Sequence, residues 1–141
     1  EVTAICEYLE ERFPDPALIG STPEERANTR MWTRRVDLKI CEPLTNGFRF
    51  AEGLPLFESR LRCLPEAAAG LKETAQDGIR WLDPLIADRG FIAGDALSLA
   101  DVMLFAFLDF DATVGQPIDA AAKNVQRWYE RMKSRPGAHP N

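Results

Sequence analysis

The stretch Phe91–Phe110, FIAGDALSLADVMLFAFLDF, decides how this chain is read. From Leu99 to Leu108 only Asp101 is polar, so a helix here is apolar on every side and is expected to be buried among other helices. Ser98 stands at the N-cap. Asp101, three residues on, can bond back to the Ser98 amide in a capping box, with aspartate in the usual place of glutamate. Leu97 and Val102 fall at N′ and N4, where two apolar side chains form a hydrophobic staple. Gly94-Asp95 supplies the turn into the helix.

A carboxylate in so apolar a helix needs a reason. An unpaired buried charge costs several kcal/mol, but a carboxylate that accepts helix N-terminal amides sits where the dipole favours it. A serine–aspartate catalytic pair is the other reading of Ser98 and Asp101. It lacks a general base, because the only histidine is His139, third from the end. Ser98 and Asp101 therefore read as a structural helix start.

Outward from that helix, composition narrows the classes. At 141 residues the chain can bury one good core as a single domain. A net charge of −5 with no run of like charges argues against nucleic-acid or anionic-membrane partners. The longest apolar run is too short for a bilayer and holds a carboxylate, and no stretch reads as a signal peptide. The cysteines, Cys6, Cys41 and Cys63, are odd in number and widely spaced, which predicts reduced thiols in a cytoplasmic protein. Cys6 and Cys41 fall in helical patterns as small core residues. No His, Cys or acidic cluster has metal-ligand spacing, no glycine-rich phosphate loop is present, and no nucleophile–base pair is visible.

The remaining segments are helical too. Ile5, Tyr8, Leu9 and Phe13 mark a short amphipathic helix from Thr3 to Phe13, stopped by Pro14-Asp15-Pro16. Thr22-Pro23-Glu24-Glu25 opens a long one, with a threonine N-cap, proline at N1 and glutamate at N3. Trp32, Val36 and Ile40 form its apolar row, with Ala27, Met31 and Leu38 beside it. Pro43 is expected to kink or end it, and Asn46-Gly47 to stop it. Between Phe48 and Cys63 the pattern is broken, either a continuation of that helix or a loop with a short helical turn. From Pro65-Glu66 the row Ala68, Leu71, Ala75, Ile79, Leu82 and Ile86 predicts a third long helix, ended by Asp88-Arg89-Gly90. Gly115-Gln116-Pro117 breaks the chain after the buried helix. A last helix carries Val125, Trp128, Tyr129 and Met132, and the tail after Arg135-Pro136-Gly137 is expected to fray. With no period-two run, the expected fold is all-α: about five or six helices around the buried one.

These motifs carry a resemblance. Phe91–Asp101, F-I-A-G-D-A-L-S-L-A-D, resembles the signature of the glutathione S-transferase C-terminal domain, in which S/T-x-x-D caps the central helix. Thr22–Ala27 resembles the opening of that family's first long C-domain helix, and Trp128–Met132 through Pro136 its last conserved helix. Glu1-Val2-Thr3-Ala4-Ile5 resembles the segment opening the last helix of the thioredoxin-like domain that comes first in the family. The resemblance thus divides the chain into residues 1–13, the end of a truncated thioredoxin-like domain; 14–21, a linker; and 22–141, the helical domain. It also makes the chain a piece of something longer.

The resemblance implies a parent that transfers the glutathione thiolate to an electrophile, with glutathione as co-substrate, no metal, and homodimerisation as a family expectation. It implies glutathione contacts at Glu1, Val2 and Thr3, with Val2 standing where the family has a serine. The side chains that activate the thiol belong to the other half, so no catalytic residue is expected in this chain, which alone should be inactive. Trp32 and Arg35 are the candidates for the electrophile site, as an apolar wall and a cation; their other reading is core and solvated charge. Phe105, Phe107 and Phe110 read as core. The alternative function is a non-catalytic module of the same fold, used for protein assembly or binding.

Overall fold

The computed structural model describes residues 1–138, and every regular element in them is helical. His139 and the end of the tail lie outside the described residues. The first helix, α1 (Val2–Arg12), ends on Phe13, ahead of Pro14. The second, α2 (Pro23–Val36), starts as its sequence dictates: Thr22 Oγ1 accepts from the Glu25 amide at 3.2 Å, and Glu25 reaches back to the Thr22 amide at 3.2 Å. Trp32, Val36 and Ile40 enter the core, whereas Met31 and Leu38 of the neighbouring row face outward.

Pro43 does not end this helix. A π turn, Asp37–Cys41, carries the chain directly into α3 (Glu42–Arg49). Proline has no N–H to give the Lys39 carbonyl, and the wider turn lets the Glu42 amide bond the Asp37 carbonyl, five residues back. The Lys39 carbonyl is met instead by Gly78 of α5 (Ala68–Leu85), where a Cβ would stand 2.2 Å from the oxygen. Asn46-Gly47, the expected stop, lies inside α3 with Gly47 buried against α5.

After α3 comes a loop with one helical turn, α4 (Leu54–Phe57). A 3-10 turn at Pro65–Ala67 leads into α5 (Ala68–Leu85), which ends just past Pro84, before the expected Asp88-Arg89-Gly90. Pro84 cannot bond the Arg80 carbonyl, and the helix unwinds within a residue. The central helix is α6 (Leu99–Thr113) and the last is α7 (Lys123–Lys133). Ile40, Ile79, Leu82, Leu104, Leu108 and Trp128 meet in one apolar core.

The expectation that α6 is buried on all sides is corrected. Val102, Ala106 and Phe110, spaced four apart, share one face, and that face is exposed. The helices of this chain cover the other sides and leave this stripe open.

Two carboxylates not singled out in the sequence hold the bundle together. Glu10 of α1 is buried and accepts from the Ile19 amide at 2.6 Å and the Gly20 amide at 3.2 Å, gripping the connector. Gly20 has φ +126°, a conformation open to glycine, and a Cβ there would stand 2.6 Å from Glu25 Cβ and 2.9 Å from the Arg26 nitrogen. Asp83 of α5 caps α7 from outside, accepting from the Asn124 and Val125 amides at 2.7 and 2.9 Å.

Candidate functional site

Helices α1 and α2 are joined by charged rungs that fix their direction. Arg26 lies 3.6 Å from Glu10, and Arg30 donates to Glu7 at 2.9 Å, holding the Glu7 carboxyl below the usual carboxylate range. As the number rises on α2 it falls on α1, so the two helices run antiparallel. One turn further on α2 is Arg34, bonded to Asp37 at 2.7 Å. One turn further on α1 is Thr3. The register therefore brings the start of α1, with Glu1, Val2 and Thr3, to the level of Arg34. All three residues are exposed, and Glu1 caps α1 without a side-chain hydrogen bond.

At that level the π turn and α3 open a polar cleft of about 450 Å³, whose lining includes Arg34, Asp37, Cys41, Thr45, Arg49 and Phe107. Cys41 contributes no nucleophile: it is fully buried, and burial pushes its thiol well above the ordinary value. Cys6 is only half-buried, so the expected core role fits Cys41 alone. A second, apolar groove of about 330 Å³ shares Thr45, Arg49 and Phe107 with the first and adds Phe48, Phe57 and Phe110. Of the three phenylalanines of α6 expected in the core, Phe105 is buried, Phe107 is half-buried, and Phe110 is 48% exposed. The reason is the open stripe: Phe110 belongs to it, and Phe107 stands at its edge.

The structure brings Trp32 and Arg35 together but turns them toward α5. Trp32 is 4% exposed, its ring 6.2 Å from that of Trp81, with the Arg35 and Arg89 guanidiniums 5.3 and 5.1 Å from its centre. Trp32 lies about 200° round the helix from Arg30 and Arg34, so it backs the face that meets α1.

Ser98 and Asp101 form the polar knot of the core. Asp101 is fully buried, and the capping box closes. Its Oδ2 accepts from the Ser98 amide at 3.0 Å and the Ser98 hydroxyl at 2.6 Å; its Oδ1 accepts from the Ile92 amide and Trp128 Nε1, each at 2.8 Å. The box was legible in the spacing, whereas the tie to Trp128 of α7, 27 residues away, has no local signal. Asp111 was also missed. It is 1% exposed, neither oxygen has a hydrogen-bond donor among the described residues, and burial pushes its carboxyl up to about 6. Among the described residues no cluster of His, Cys, Asp and Glu has the make-up of a metal site, and no helix is long and apolar enough to cross a membrane.

Comparison with known proteins follows the same outline. Residues 65–136, about half of the chain, match the family model described as glutathione S-transferase, C-terminal domain. Glutathione S-transferase 2 of Saccharomyces cerevisiae is 31% identical over 96% of this chain and 58% of its own length. FtsZ-localized protein A of Caulobacter vibrioides is 33% identical over 99% of this chain and 61% of its own. A crystal structure of a glutathione S-transferase domain-containing protein from Marinobacter aquaeolei superposes with a TM-score of 0.90 at 29% identity, over 99% of this chain and 68% of that one. The chain thus spans about three fifths of the length of these two curated relatives. With its capped central helix, its all-helical bundle and the family model in agreement, this chain belongs to the glutathione S-transferase C-terminal domain family.

Proposed function

We propose that this chain is the helical half of a glutathione transferase, whose parent presents glutathione at the start of α1 and holds an electrophile against the α2–α3 face. The observation that carries this reading is the shared level of the two places. The antiparallel rungs Glu10–Arg26 and Glu7–Arg30 lead from the connector to Glu1, Val2 and Thr3 on one helix and to the Arg34 cleft on the other. The amides of Val2 and Thr3, at a helix N-terminus, suit a carboxylate. Val2 brings no hydroxyl, which costs roughly 1.5–3 kcal/mol if a charged hydrogen bond is lost.

On the electrophile side, exposed Phe110 and half-buried Phe107 supply the apolar wall that the buried Trp32 ring cannot present. Arg34, paired with Asp37, stands at the level where a thiolate forms. Catalysis in the parent then consists of lowering the thiol pKa and holding two reactants together. The thiol-activating group lies outside this chain, so the chain alone is inactive.

The test is to prepare the protein with its upstream sequence and to compare it with the 141-residue chain. The longer protein is expected to be retained on immobilised glutathione and to conjugate an aryl halide, and the shorter one to do neither. Turnover by the short chain, or no retention and no turnover by the long one, overturns the reading. The second reading, a non-catalytic assembly module, is favoured by Val2 and by the similarity to FtsZ-localized protein A. It predicts a folded longer protein that neither binds glutathione nor turns over.

A further inference from the structure

The Trp32 face of α2, turned away from α1, begins a belt of cations laid on aromatic rings. Arg35 and Arg89 lie 5.3 and 5.1 Å from the centre of Trp32, and Lys39 lies 4.9 Å from that of Trp81. Arg131 and Arg135 of the last helix and its end lie 5.6 and 5.8 Å from the centre of Phe91. Arg89 joins the two groups, since it also donates at 3.3 Å to the carbonyl of Ile92, the residue after Phe91. All five cations are exposed, and none has a carboxylate within ion-pair distance among the described residues. Arg26, Arg30, Arg34, Lys72 and Arg80, by contrast, each face one. In a chain of net charge −5 the belt is a local concentration of unneutralised positive charge.

Stacking prepares these cations for an anion. A guanidinium on a ring face keeps its N–H edge free, and less side-chain freedom is lost when a partner arrives. Apolar side chains stand in the same region: Leu38, beside Lys39, is 47% exposed, and Leu85, one turn on from Trp81, is 38% exposed. Arginine among aromatic and apolar neighbours is the make-up of a protein-binding patch. A single-stranded nucleic acid needs free ring faces on which to stack its bases. Trp32 offers none, being 4% exposed beneath two guanidiniums, and Trp81 and Phe91 are half-buried with cations over them. The acidic remainder of the chain repels a long polyanion or an anionic bilayer. A short segment confined to the belt escapes most of that repulsion, because the Debye length at physiological salt is about 8 Å.

We propose that this belt docks an acidic segment of another protein, with Arg35, Lys39 and Arg89 taking its carboxylates and Leu38 and Leu85 its apolar side chains. Each carboxylate gains a charge-assisted contact, bidentate at the arginines. Arg34 takes no part, because Asp37 already holds it. The belt lies on the other side of α2 from the face that meets α1, so the inference does not depend on glutathione binding.

The experiment uses the 141-residue chain and fluorescence anisotropy with three labelled probes. They are a short peptide of glutamates with interspersed leucines, the same peptide with every glutamate replaced by glutamine, and an oligothymidylate of equal negative charge. The acidic peptide is expected to bind at least tenfold more tightly than either of the others, and to weaken as salt is raised. Arg35→Gln with Arg89→Gln is expected to weaken it tenfold or more. Arg60→Gln with Arg62→Gln, an equal change of net charge at two exposed arginines outside the belt, is expected to leave it unchanged. Circular dichroism melting checks that the variants fold. In the wild type, the amide signals that shift on adding the acidic peptide are expected to be those of Arg35, Lys39, Arg89 and their neighbours, so the proposal stands or falls even if the belt variant is unfolded. Equal binding of the glutamine peptide, tighter binding of the oligothymidylate, equal weakening by both pairs of substitutions, or shifts on another surface overturns it. Because glutathione is absent, failure here is separate from failure of the longer protein to bind glutathione.

Discussion

At the scale of single residues, two buried aspartates on α6 have opposite fates. Asp101 accepts four hydrogen bonds, from the Ser98 amide and hydroxyl, the Ile92 amide and the Trp128 indole. Removing the carboxylate leaves those donors unpaired and frees the start of the central helix. Asp101→Ala is expected to lose more than the ~1 kcal/mol of an ordinary cap, about 3 kcal/mol or more, read as a lowered urea midpoint. An unchanged midpoint refutes the role given to it. Asp111 has no such donors among the described residues, and burial pushes its carboxyl from 3.8 up to about 6. The folded state therefore binds this proton more tightly than the unfolded chain does. The stability so gained is complete below pH 3.8 and is lost as pH rises through about 6. Denaturation curves at pH 5 and pH 8 are expected to show a fall of about 1.4 kcal/mol, one pKa unit, in the wild type beyond any in Asp111→Asn. A wild-type fall no larger than the variant's contradicts the assignment.

At the scale of elements, helix boundaries show what local sequence can and cannot specify. Caps are local chemistry, so Thr22–Glu25 and Ser98–Asp101 announce α2 and α6 without help from the rest of the chain. Pro43 is local too, yet its expected effect is overruled by tertiary packing: the π turn and the bare backbone of Gly78 together accommodate the Lys39 carbonyl. Gly78→Ala puts this to the test. By helix propensity alone the change gains about 1 kcal/mol. A Cβ 2.2 Å from the Lys39 oxygen must instead push α5 away from the π turn, so the variant is expected to be less stable by at least 2 kcal/mol in chemical denaturation. A more stable variant sinks this account of the crossing. Asp83→Ala is expected to cost α7 its external cap, about 1–2 kcal/mol, with early loss of amide-exchange protection at Asn124 and Val125. No single window of sequence points to that contact, since Asp83 and Asn124 are 41 residues apart.

At the scale of the whole molecule, the apolar rows of α1 and α6 reach solvent. Ile5, Tyr8, Leu9 and Phe13 on α1, and Val102 and Phe110 on α6, are all exposed. Their spacing correctly marks both segments as helices, but spacing cannot say whether the residues that cover a face lie in the same chain. For the same reason the sequence places the aromatic residues of α6 in the core, whereas Phe110 stands at a groove. Exposed apolar faces of this size promote self-association. Replacing Ile5 and Leu9 with glutamate is expected to reduce concentration-dependent association in sedimentation, with little change in the denaturation midpoint. A collapse of stability in that double variant would instead place the α1 stripe in the core of this chain.

The grip of Glu10 on Ile19 and Gly20 also bears on what moves together with α1. A carboxylate anchored to two amides, with Arg26 beside it and Leu99 bonded to the Leu18 carbonyl at 2.8 Å, leaves the proline-rich connector little freedom to flex. Although its apolar row faces solvent, α1 is tied to the connector and to α2 by Glu10 and Glu7 and is expected to move with them. Any domain that packs on the exposed row of α1, as the proposed function requires, is then coupled to α2 through the Glu7–Arg30 and Glu10–Arg26 pairs.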